Sequence, residues 1–209
     1  MKVSASFLTS KDKARDLKKL NLTDVDYIHV DYMDGKFVRN KSLPFRQLKK
    51  IYKYTSKRLD VHLMAEKPEK LIRKFADLNT EFITVHLEIN RNLEKVLYLI
   101  KAYGIKAGLS IKPNTNIDEL LPYLDIIDLI IVMGVEPGRG GQPFIKETKE
   151  KLESIKKMLK ENNKENILIS VDGGITEETK EYVDSADILV SGNYITSSNN
   201  FQDKITSLR

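Results

Sequence analysis

Short runs of apolar, β-branched residues recur along the chain, and a polar or amphipathic stretch follows each of them. Eight of these runs have the length and composition that are typical of strands. They cover residues 2–7, 27–31, 59–64, 82–86, 106–111, 129–133, 167–171 and 188–191. Strict alternation of this kind predicts parallel strands that are joined by right-handed helical crossovers.

The stretches between the predicted strands carry helix signals. In residues 146–161 the apolar side chains recur at helical spacing, as Leu152, Ile155, Met158 and Leu159. Further helices are expected from Ser10 to Leu20, from Ser42 toward Tyr54, from Pro68 to near Leu78, over residues 93–103 and 118–123, and from Thr176 to Val183. Hydroxyl residues before a helix, proline in its first turn and glycine after its end are the usual boundary residues.

Eight strand–helix units predict an α/β protein, a single-domain closed (β/α)8 TIM barrel over residues 1–209, at the short end of the size range of this fold. An open, doubly wound sheet is the structural alternative. Two features favour the barrel. The first predicted strand lacks the glycine fingerprint of a dinucleotide-binding sheet. Several strands also carry polar residues at alternate positions near their carboxyl ends, as the mouth of a barrel enzyme requires.

Composition narrows the functional classes. The chain has no cysteine, which excludes disulfides and thiolate chemistry and fits a reducing cytoplasm. It lacks an apolar run of membrane-spanning length and the apolar core of a signal peptide, so we expect a cytoplasmic protein without a membrane partner. The net charge of +5 could attract anions. Its lysines alternate with acidic residues in helix-like segments, however, so we expect no nucleic-acid partner.

Candidate chemistry lies at the carboxyl ends of the predicted strands. The polar residues there are His29, Asp31, Asp60, His62, His86 and Asp172. His29 and Asp31 are two residues apart and therefore share one face of their strand. All three histidines of the chain fall at predicted strand ends, which meet at one mouth in a barrel. Two histidines and two aspartates can supply four ligands for zinc or a similar divalent ion.

Glycine clusters follow the last three predicted strands. They are residues 138–142 (Gly-Arg-Gly-Gly-Gln), the pair Gly173 and Gly174, and Gly192 with Asn193. Barrels often bind phosphate after strands seven and eight, where backbone N–H groups can approach the ligand closely. Ordinary tight turns are the alternative explanation for each cluster taken singly.

The chain resembles the ribulose-phosphate 3-epimerase family. The matching segments are SASFLT, HVDYMDGKFVRN, LDVHLM, ITVHLE, GIKAGLSIKPNT, VMGVEPGRGGQPF, SVDGGI and LVSGN, in the order of the family and from the first strand to the last. The resemblance implies a barrel that interconverts D-ribulose 5-phosphate and D-xylulose 5-phosphate in the pentose phosphate pathway. It further implies a small sugar phosphate as the partner and a homo-oligomer, either a dimer or a hexamer.

The resemblance also implies roles for individual residues. The ligands of one divalent ion (zinc or iron foremost, manganese or cobalt otherwise) would be His29, Asp31, His62 and Asp172. Asp31 and Asp172 would be the paired acid and base that move a proton through an enediolate. Residues near the substrate would be Ser6, His62, Gly138, Arg139, Gly140, Gly141 and Asp172. The phosphate cradle would be Gly173, Gly174, Gly192 and Asn193, and the pocket wall would include Met33, Met64 and Met133.

Four positions depart from the family pattern. Arg139 stands in place of the usual aromatic residue, Gly134 in place of Thr, Asn193 in place of Ser and Arg39 in place of Pro. None of them removes a proposed ligand or catalytic carboxylate, but they affect the fit of the substrate. The resemblance does not make His86 a ligand, and we expect it either to contact the ligands from behind or to contribute to packing. We also expect Asp34 to organise the turn after strand two and Asp60 to be a hydrogen-bond partner below the ion.

The sequence leaves other functions open. A 3-epimerase for a phosphorylated hexulose such as D-allulose 6-phosphate would use the same carboxylates and ion. A metal-dependent decarboxylase or aldolase on a related barrel would need a lysine beside a catalytic acid at a strand end, and no convincing Asp-x-Lys pattern occurs there. A non-catalytic barrel that binds phosphate or nucleic acid is the alternative from another class.

Overall fold

A computed structural model describes residues 1–209, apart from the side chain of Ile51, and eight parallel strands form a closed barrel in it. The strands are β1 (Lys2–Ser6), β2 (Tyr27–Met33), β3 (Arg58–Met64), β4 (Thr80–His86), β5 (Lys106–Ile111), β6 (Leu129–Met133), β7 (Leu168–Asp172) and β8 (Ile188–Ser191). Each strand pairs with its sequence neighbours, and β1 also pairs with β8. The predicted (β/α)8 barrel is therefore confirmed, and the open-sheet alternative is wrong.

Helices connect the strands on the outside of the barrel. They are α1 (Lys13–Asn21), α2 (Phe45–Ile51), α3 (Glu69–Ala76), α4 (Leu93–Ala102), α5 (Thr148–Glu161), α6 (Asn193–Thr196) and α7 (Phe201–Ser207). Single turns or short runs of 3-10 helix cover Tyr52–Tyr54, Ile117–Tyr123 and Lys180–Tyr182. Among the described residues, none of these helices has both the length and the apolar character that a membrane span requires.

Several predicted helix starts were wrong because the proposed residue does not cap a helix. Ser42 does not begin a helix, since its hydroxyl accepts a hydrogen bond from the Met33 backbone and donates one to the Asp31 carbonyl. Ser10 is replaced as the cap of α1 by Asp12, whose carboxylate accepts the Arg15 N–H. The predicted helix from Thr176 to Val183 is only the 3-10 turn Lys180–Tyr182.

The predicted strand bounds need small corrections that concern the site. β2 continues to Met33, two residues beyond the prediction, because it pairs with β3 as far as the Met33–Met64 pair. β7 lies one residue later than predicted and ends at Asp172. Asp31 and Asp172 therefore belong to strands. Asp172 has ladder partners in both β6 and β8, and Asp31 has its ladder partner in β3.

Apolar side chains fill two regions of the molecule. The larger cluster lies between the strands and the surrounding helices. A smaller cluster consists of Tyr27, Phe82, Leu129, Ile131, Met133, Val135 and Ile188. Buried polar residues accompany it on the strands, and they include Ser4, Asp60 and both His29 and His62. The polar groups thus rest on apolar packing, which fixes their side chains and keeps water away.

Candidate active site

Strand register brings the predicted site residues together. In the β2–β3 ladder, Asp31 pairs with His62 and His29 pairs with Asp60. In the β6–β7 ladder, Met133 pairs with Asp172. Residues that are partners in a parallel ladder lie side by side at the same height. The carboxyl ends of β2, β3 and β7 therefore present two imidazoles and two carboxylates to the same region.

Four donor atoms from these residues form a compact group. One atom each from His29, Asp31, His62 and Asp172 lies within 4.8 Å of all the others. His29 Nε2 is 3.5 Å from Asp31 Oδ1 and 3.5 Å from Asp172 Oδ2. His62 Nδ1 is 3.6 Å from Asp31 Oδ1 and 3.2 Å from Asp172 Oδ2. Both histidine side chains are fully buried.

This group fits a divalent ion. Ligand atoms about 2.1 Å from a tetrahedral centre are about 3.4 Å from one another, and the four distances above are close to that value. His29 Nε2 is also buried without a hydrogen-bond partner. Buried nitrogens are nearly always satisfied, so an unpartnered one that faces two carboxylates indicates a ligand atom. The donor set of two imidazoles and two carboxylates is one that zinc and similar ions accept.

Hydrogen bonds behind the group orient two of the donors. Ser6 Oγ donates to Asp31 Oδ2 at 2.8 Å, which leaves Oδ1 facing the histidines. Asp60 Oδ2 accepts from His29 Nδ1 at 2.8 Å, and Ser4 Oγ donates to the same oxygen at 2.8 Å. Asp60 is thus the hydrogen-bond partner that we expected, and it directs Nε2 of His29 into the group.

A second chain of polar contacts leads away from His62. Its Nε2 atom lies 2.9 Å from His86 Nε2, and His86 Nδ1 lies 3.0 Å from Glu88 Oε2. The other carboxylate oxygen of Glu88 accepts the Lys112 backbone N–H at 2.7 Å and the Thr115 hydroxyl. His86 thus lies behind His62, between this ligand candidate and Glu88.

The histidines and aspartates of the group shift one another's pKa values. Burial opposes the charged form of His29, but Asp60, Asp31 and Asp172 together raise its pKa well above the ordinary value. Burial likewise opposes the ionised form of Asp31, but His29 and His62 hold its pKa far below the usual range. The pKa of Asp172 is lowered chiefly by His29, against its own burial. Without a bound ion, the histidines are therefore the counter-charges of the two aspartates.

Outside the group, the pKa values describe a neutral imidazole beside an ionised carboxylate. Burial lowers the pKa of His86 to about 4 despite the neighbouring Glu88. Burial alone would raise the pKa of Glu88, but hydrogen bonds from His86, Thr115 and the Lys112 backbone lower it to about 2.

A cavity of about 540 Å³ opens above the four donors. The sequence-predicted residues that line it are Ser6, Asp31, Met33, Met64, Met133, Gly138, Arg139, Gly140, Gly141, Asp172, Gly173, Gly174, Gly192 and Asn193. His29 and His62 are fully buried and lie outside this lining. The arrangement can hold a small polar ligand between glycine-rich loops, methionine side chains and two carboxylates.

The loop after β6 is held over this cavity by contacts with its neighbours. Asn40 Nδ2 donates to the Gly138 carbonyl at 2.8 Å, and Gln142 Nε2 donates to the carbonyls of Glu136 and Arg139. At the other end of the loop, Phe144 approaches Gly174 so closely that a Cβ at residue 174 would lie 2.7 Å from Phe144 Cα. Arg139 lines the cavity from an exposed position on this loop.

The structure explains why glycine stands at residue 134, one of the positions that depart from the family pattern. A Cβ at this position would lie 2.6 Å from the Gly173 carbonyl oxygen and 2.9 Å from the Phe144 ring. The Gly134 N–H donates to the Asp172 carbonyl, and its own carbonyl accepts the Ile145 N–H. The loops after β6 and β7 therefore approach each other more closely than a side chain at residue 134 would allow.

Sequence reasoning missed Glu88. It follows His86 by two residues in the segment ITVHLE, and an acidic residue this close to a histidine at a strand end was a usable signal. The prediction that Asp34 organises the turn after β2 is confirmed. Its Oδ1 accepts the N–H groups of Lys36 and Phe37, and its Oδ2 accepts that of Glu66.

Comparison with known proteins gives consistent results. The model of the ribulose-phosphate 3 epimerase family matches residues 2–196. The ribulose-phosphate 3-epimerase of Bacillus subtilis is 34% identical, over 99% of this chain and 95% of the relative. That of Synechocystis is 36% identical, over 99% and 93%. A solved structure of Mycobacterium tuberculosis tryptophan synthase shares the fold with a TM-score of 0.71 at 11% identity, covering 99% of this chain and 90% of that one.

Proposed function

This chain belongs to the ribulose-phosphate 3 epimerase family, and from that premise we propose that it interconverts D-ribulose 5-phosphate and D-xylulose 5-phosphate with Asp31 and Asp172 as acid and base. One observation carries the proposal. These two carboxylates come from β2 and β7, and each lies within 3.6 Å of His62 Nδ1 at the floor of the same cavity. A small ligand in the cavity would therefore contact both.

The proton balance of an epimerisation requires such a pair. One carboxylate removes the proton at C3, next to the C2 ketone, and the substrate becomes a planar enediolate. The other carboxyl group then delivers a proton to C3 from the opposite face. Each turnover leaves the two groups with exchanged protonation states, so the reverse reaction uses them in exchanged roles.

Asp31 and Asp172 must differ in protonation when the reaction begins. Positively charged His29 and His62 lower the pKa of both carboxyl groups. As ligands of an ion the histidines would be neutral, and the charge of the ion would oppose protonation of the two carboxyl groups in their place. Ser6 favours the ionised form of Asp31 by its hydrogen bond to Oδ2.

We further propose that His29, Asp31, His62 and Asp172 hold one divalent ion. Their donor atoms all lie within 4.8 Å of one another, and His29 Nε2 is buried without a hydrogen-bond partner. When bound, such an ion would supply Lewis-acid stabilisation to the enediolate oxygens, which a carboxylate pair alone does not provide. The residues themselves would orient C3 between the two carboxylates.

The remaining lining of the cavity is assigned to binding. Gly173, Gly174, Gly192 and Asn193 follow β7 and β8, so we propose that their backbones cradle the phosphate group. Met33, Met64 and Met133 also line the cavity, and we propose that they form weakly interacting walls, which exclude water without competing as bases.

The test is hydrogen exchange at C3 of ribulose 5-phosphate in D₂O, with metal analysis of the same sample. We expect deuterium at C3 together with the appearance of xylulose 5-phosphate. D-allulose 6-phosphate, the substrate of the alternative function, is measured in parallel under the same conditions. Faster turnover of the hexulose phosphate would assign the enzyme to that substrate, and no exchange with either compound would contradict the proposed reaction.

A further inference from the structure

We propose that Glu88 is a positioning residue for His62, and that through His86 it determines which nitrogen of His62 carries the proton. This inference rests on the proposed function of His62 as a metal ligand. Glu88 lies outside the four donors and outside the cavity lining, and it reaches them only through the side chain of His86.

The chain of contacts begins at the backbone of Lys112. The Lys112 backbone N–H can only donate, and it lies 2.7 Å from Glu88 Oε1. Thr115 Oγ1 donates to the same oxygen. These two donors fix the carboxylate, and they leave Oε2 as an acceptor that faces His86 Nδ1 at 3.0 Å. His86 Nδ1 must therefore carry a proton.

The consequence passes from His86 to His62. A neutral imidazole has one protonated nitrogen, so a proton on Nδ1 makes His86 Nε2 an acceptor. This atom lies 2.9 Å from His62 Nε2. His62 Nε2 must then be the donor, so in the neutral form of His62 the lone pair lies on Nδ1 and is directed toward Asp31 and Asp172. A metal ligand requires this tautomer.

The surroundings of His86 keep this arrangement dry. Its ring is fully buried, and the Phe37 ring packs against it with the centroids 4.5 Å apart. The ammonium group of Lys112 lies 4.4 Å from the centroid of the same Phe37 ring. Water therefore has little access to replace either hydrogen-bond partner of His86. The direction of these hydrogen bonds consequently depends on Glu88.

His29 provides an internal comparison. It also donates one ring N–H to a buried carboxylate, that of Asp60, and presents its other nitrogen to the donor group. For His29 the carboxylate is in direct contact, whereas for His62 an additional imidazole lies between. Both ligand histidines thus obtain their tautomer from a carboxylate, and Glu88 has for His62 the role that Asp60 has for His29.

Glu88→Gln tests the proposal sharply because it should reverse the hydrogen bonds. The Lys112 N–H still needs an acceptor, so the amide oxygen of the glutamine takes that place and its NH₂ group faces His86. His86 would then accept at Nδ1 and carry its proton on Nε2, in conflict with a proton on His62 Nε2. We expect the affinity for Zn²⁺ to fall about 10- to 100-fold, as measured by competition with a chelator.

Glu81→Gln is the matched control. Glu81 lies near the opposite end of β4, and its substitution removes the same charge without touching the histidines. We expect this variant to bind Zn²⁺ like the unmodified protein. In addition, His86→Phe should weaken binding, and the double variant with Glu88→Gln should be no weaker than His86→Phe alone, since Glu88 acts through His86.

A spectroscopic measurement gives a readout that is independent of activity and of metal. The chain has three histidines, so the imidazole nitrogens can be resolved by NMR of the ¹⁵N-labelled protein. We expect the proton of His86 on Nδ1 in the unmodified protein and on Nε2 in Glu88→Gln. An unchanged His86 tautomer, or unchanged Zn²⁺ affinity in Glu88→Gln, would overturn the proposal. Failure of the unmodified protein to bind any divalent ion would instead overturn the proposed metal site.

Discussion

Asp31 and His62 are neighbours in the β2–β3 ladder, and Asp31 Oδ1 lies 3.6 Å from His62 Nδ1. The pair joins a carboxylate that is proposed to move a proton with an imidazole that is proposed to hold an ion. Because the ladder fixes both backbones, neither side chain needs to be ordered when a substrate binds. This preorganisation is the physical basis of the predictions below.

Asp31→Asn and Asp172→Asn should each abolish epimerisation, because an amide can neither remove nor deliver the proton at C3. We expect turnover to fall by a factor of about 10² to 10⁴ or more, while the circular dichroism spectrum stays that of the unmodified protein. The measurement is the formation of xylulose 5-phosphate from ribulose 5-phosphate, since the remaining carboxyl group could still exchange the C3 proton on its own face. Near-normal turnover in either variant would remove that residue from the acid–base pair.

Removal of divalent ions should inactivate the enzyme and lower its thermal stability, since a ligand that binds only the folded state stabilises it. The experiment follows activity and melting temperature during dialysis against a chelator, with metal analysis at each step. Addition of Zn²⁺, Fe²⁺, Mn²⁺ or Co²⁺ in turn should restore both properties to different extents. Full activity in a sample that contains no metal would contradict the Lewis-acid role.

Gly174→Ala should destabilise the loop that is proposed to cradle phosphate. Gly174 has φ +71°, and a Cβ there would lie 2.7 Å from the Phe144 Cα. Gly104→Ala is the matched control, because Gly104 has φ +72° but a Cβ at that position would meet nothing within 4 Å. In both variants, an alanine at this positive φ costs about 1–2 kcal/mol of stability.

Only Gly174→Ala must also displace Phe144, so we expect it to lose about 1–3 kcal/mol more than the control. Urea unfolding measures this difference in the free energy of unfolding. The KM for ribulose 5-phosphate should rise in Gly174→Ala alone. Equal stability losses in the two variants would show that Phe144 moves aside at no cost.

Glu81 should make stability depend on pH at the other end of the barrel. Burial opposes its ionised form, but Lys106, whose Nζ lies 2.8 Å away, and Arg58 hold the pKa of Glu81 below its ordinary value of 4.5. Because the pKa of Glu81 is lower in the folded than in the unfolded state, its ionised form stabilises the folded protein at pH values above the unfolded-state pKa. This contribution is lost as the pH falls through the folded-state pKa.

The free energy of unfolding of the metal-free protein should therefore exceed that of Glu81→Gln at about pH 6, with the difference shrinking toward about pH 3. Urea unfolding of both proteins across this range tests the sign. A difference that stays constant with pH would mean that the ion pairs of Glu81 contribute nothing beyond its packing.

The elements that sequence predicted well are those with local causes. The bounds of β5, β6 and β8 agree with prediction. In β6 and β8 the cause is a continuous apolar run with β-branched residues, which is typical of a buried strand. The predicted helix at residues 176–183 failed because Thr176 and Thr179 hydrogen-bond each other's backbone N–H in a local turn. A helix start signal and such a turn use the same residues, so sequence cannot distinguish them.

For the site, sequence by itself determined which residue types stand at strand ends and which share a face. His29 with Asp31, and Asp60 with His62, follow from the two-residue period of a strand, which is a property of the backbone. The tertiary structure decided which atoms meet. His62 contacts Asp172 across 110 positions of sequence and His86 across 24. Contacts of this range depend on the register of a closed barrel, and no local pattern encodes whether a nitrogen faces a carboxylate or another imidazole.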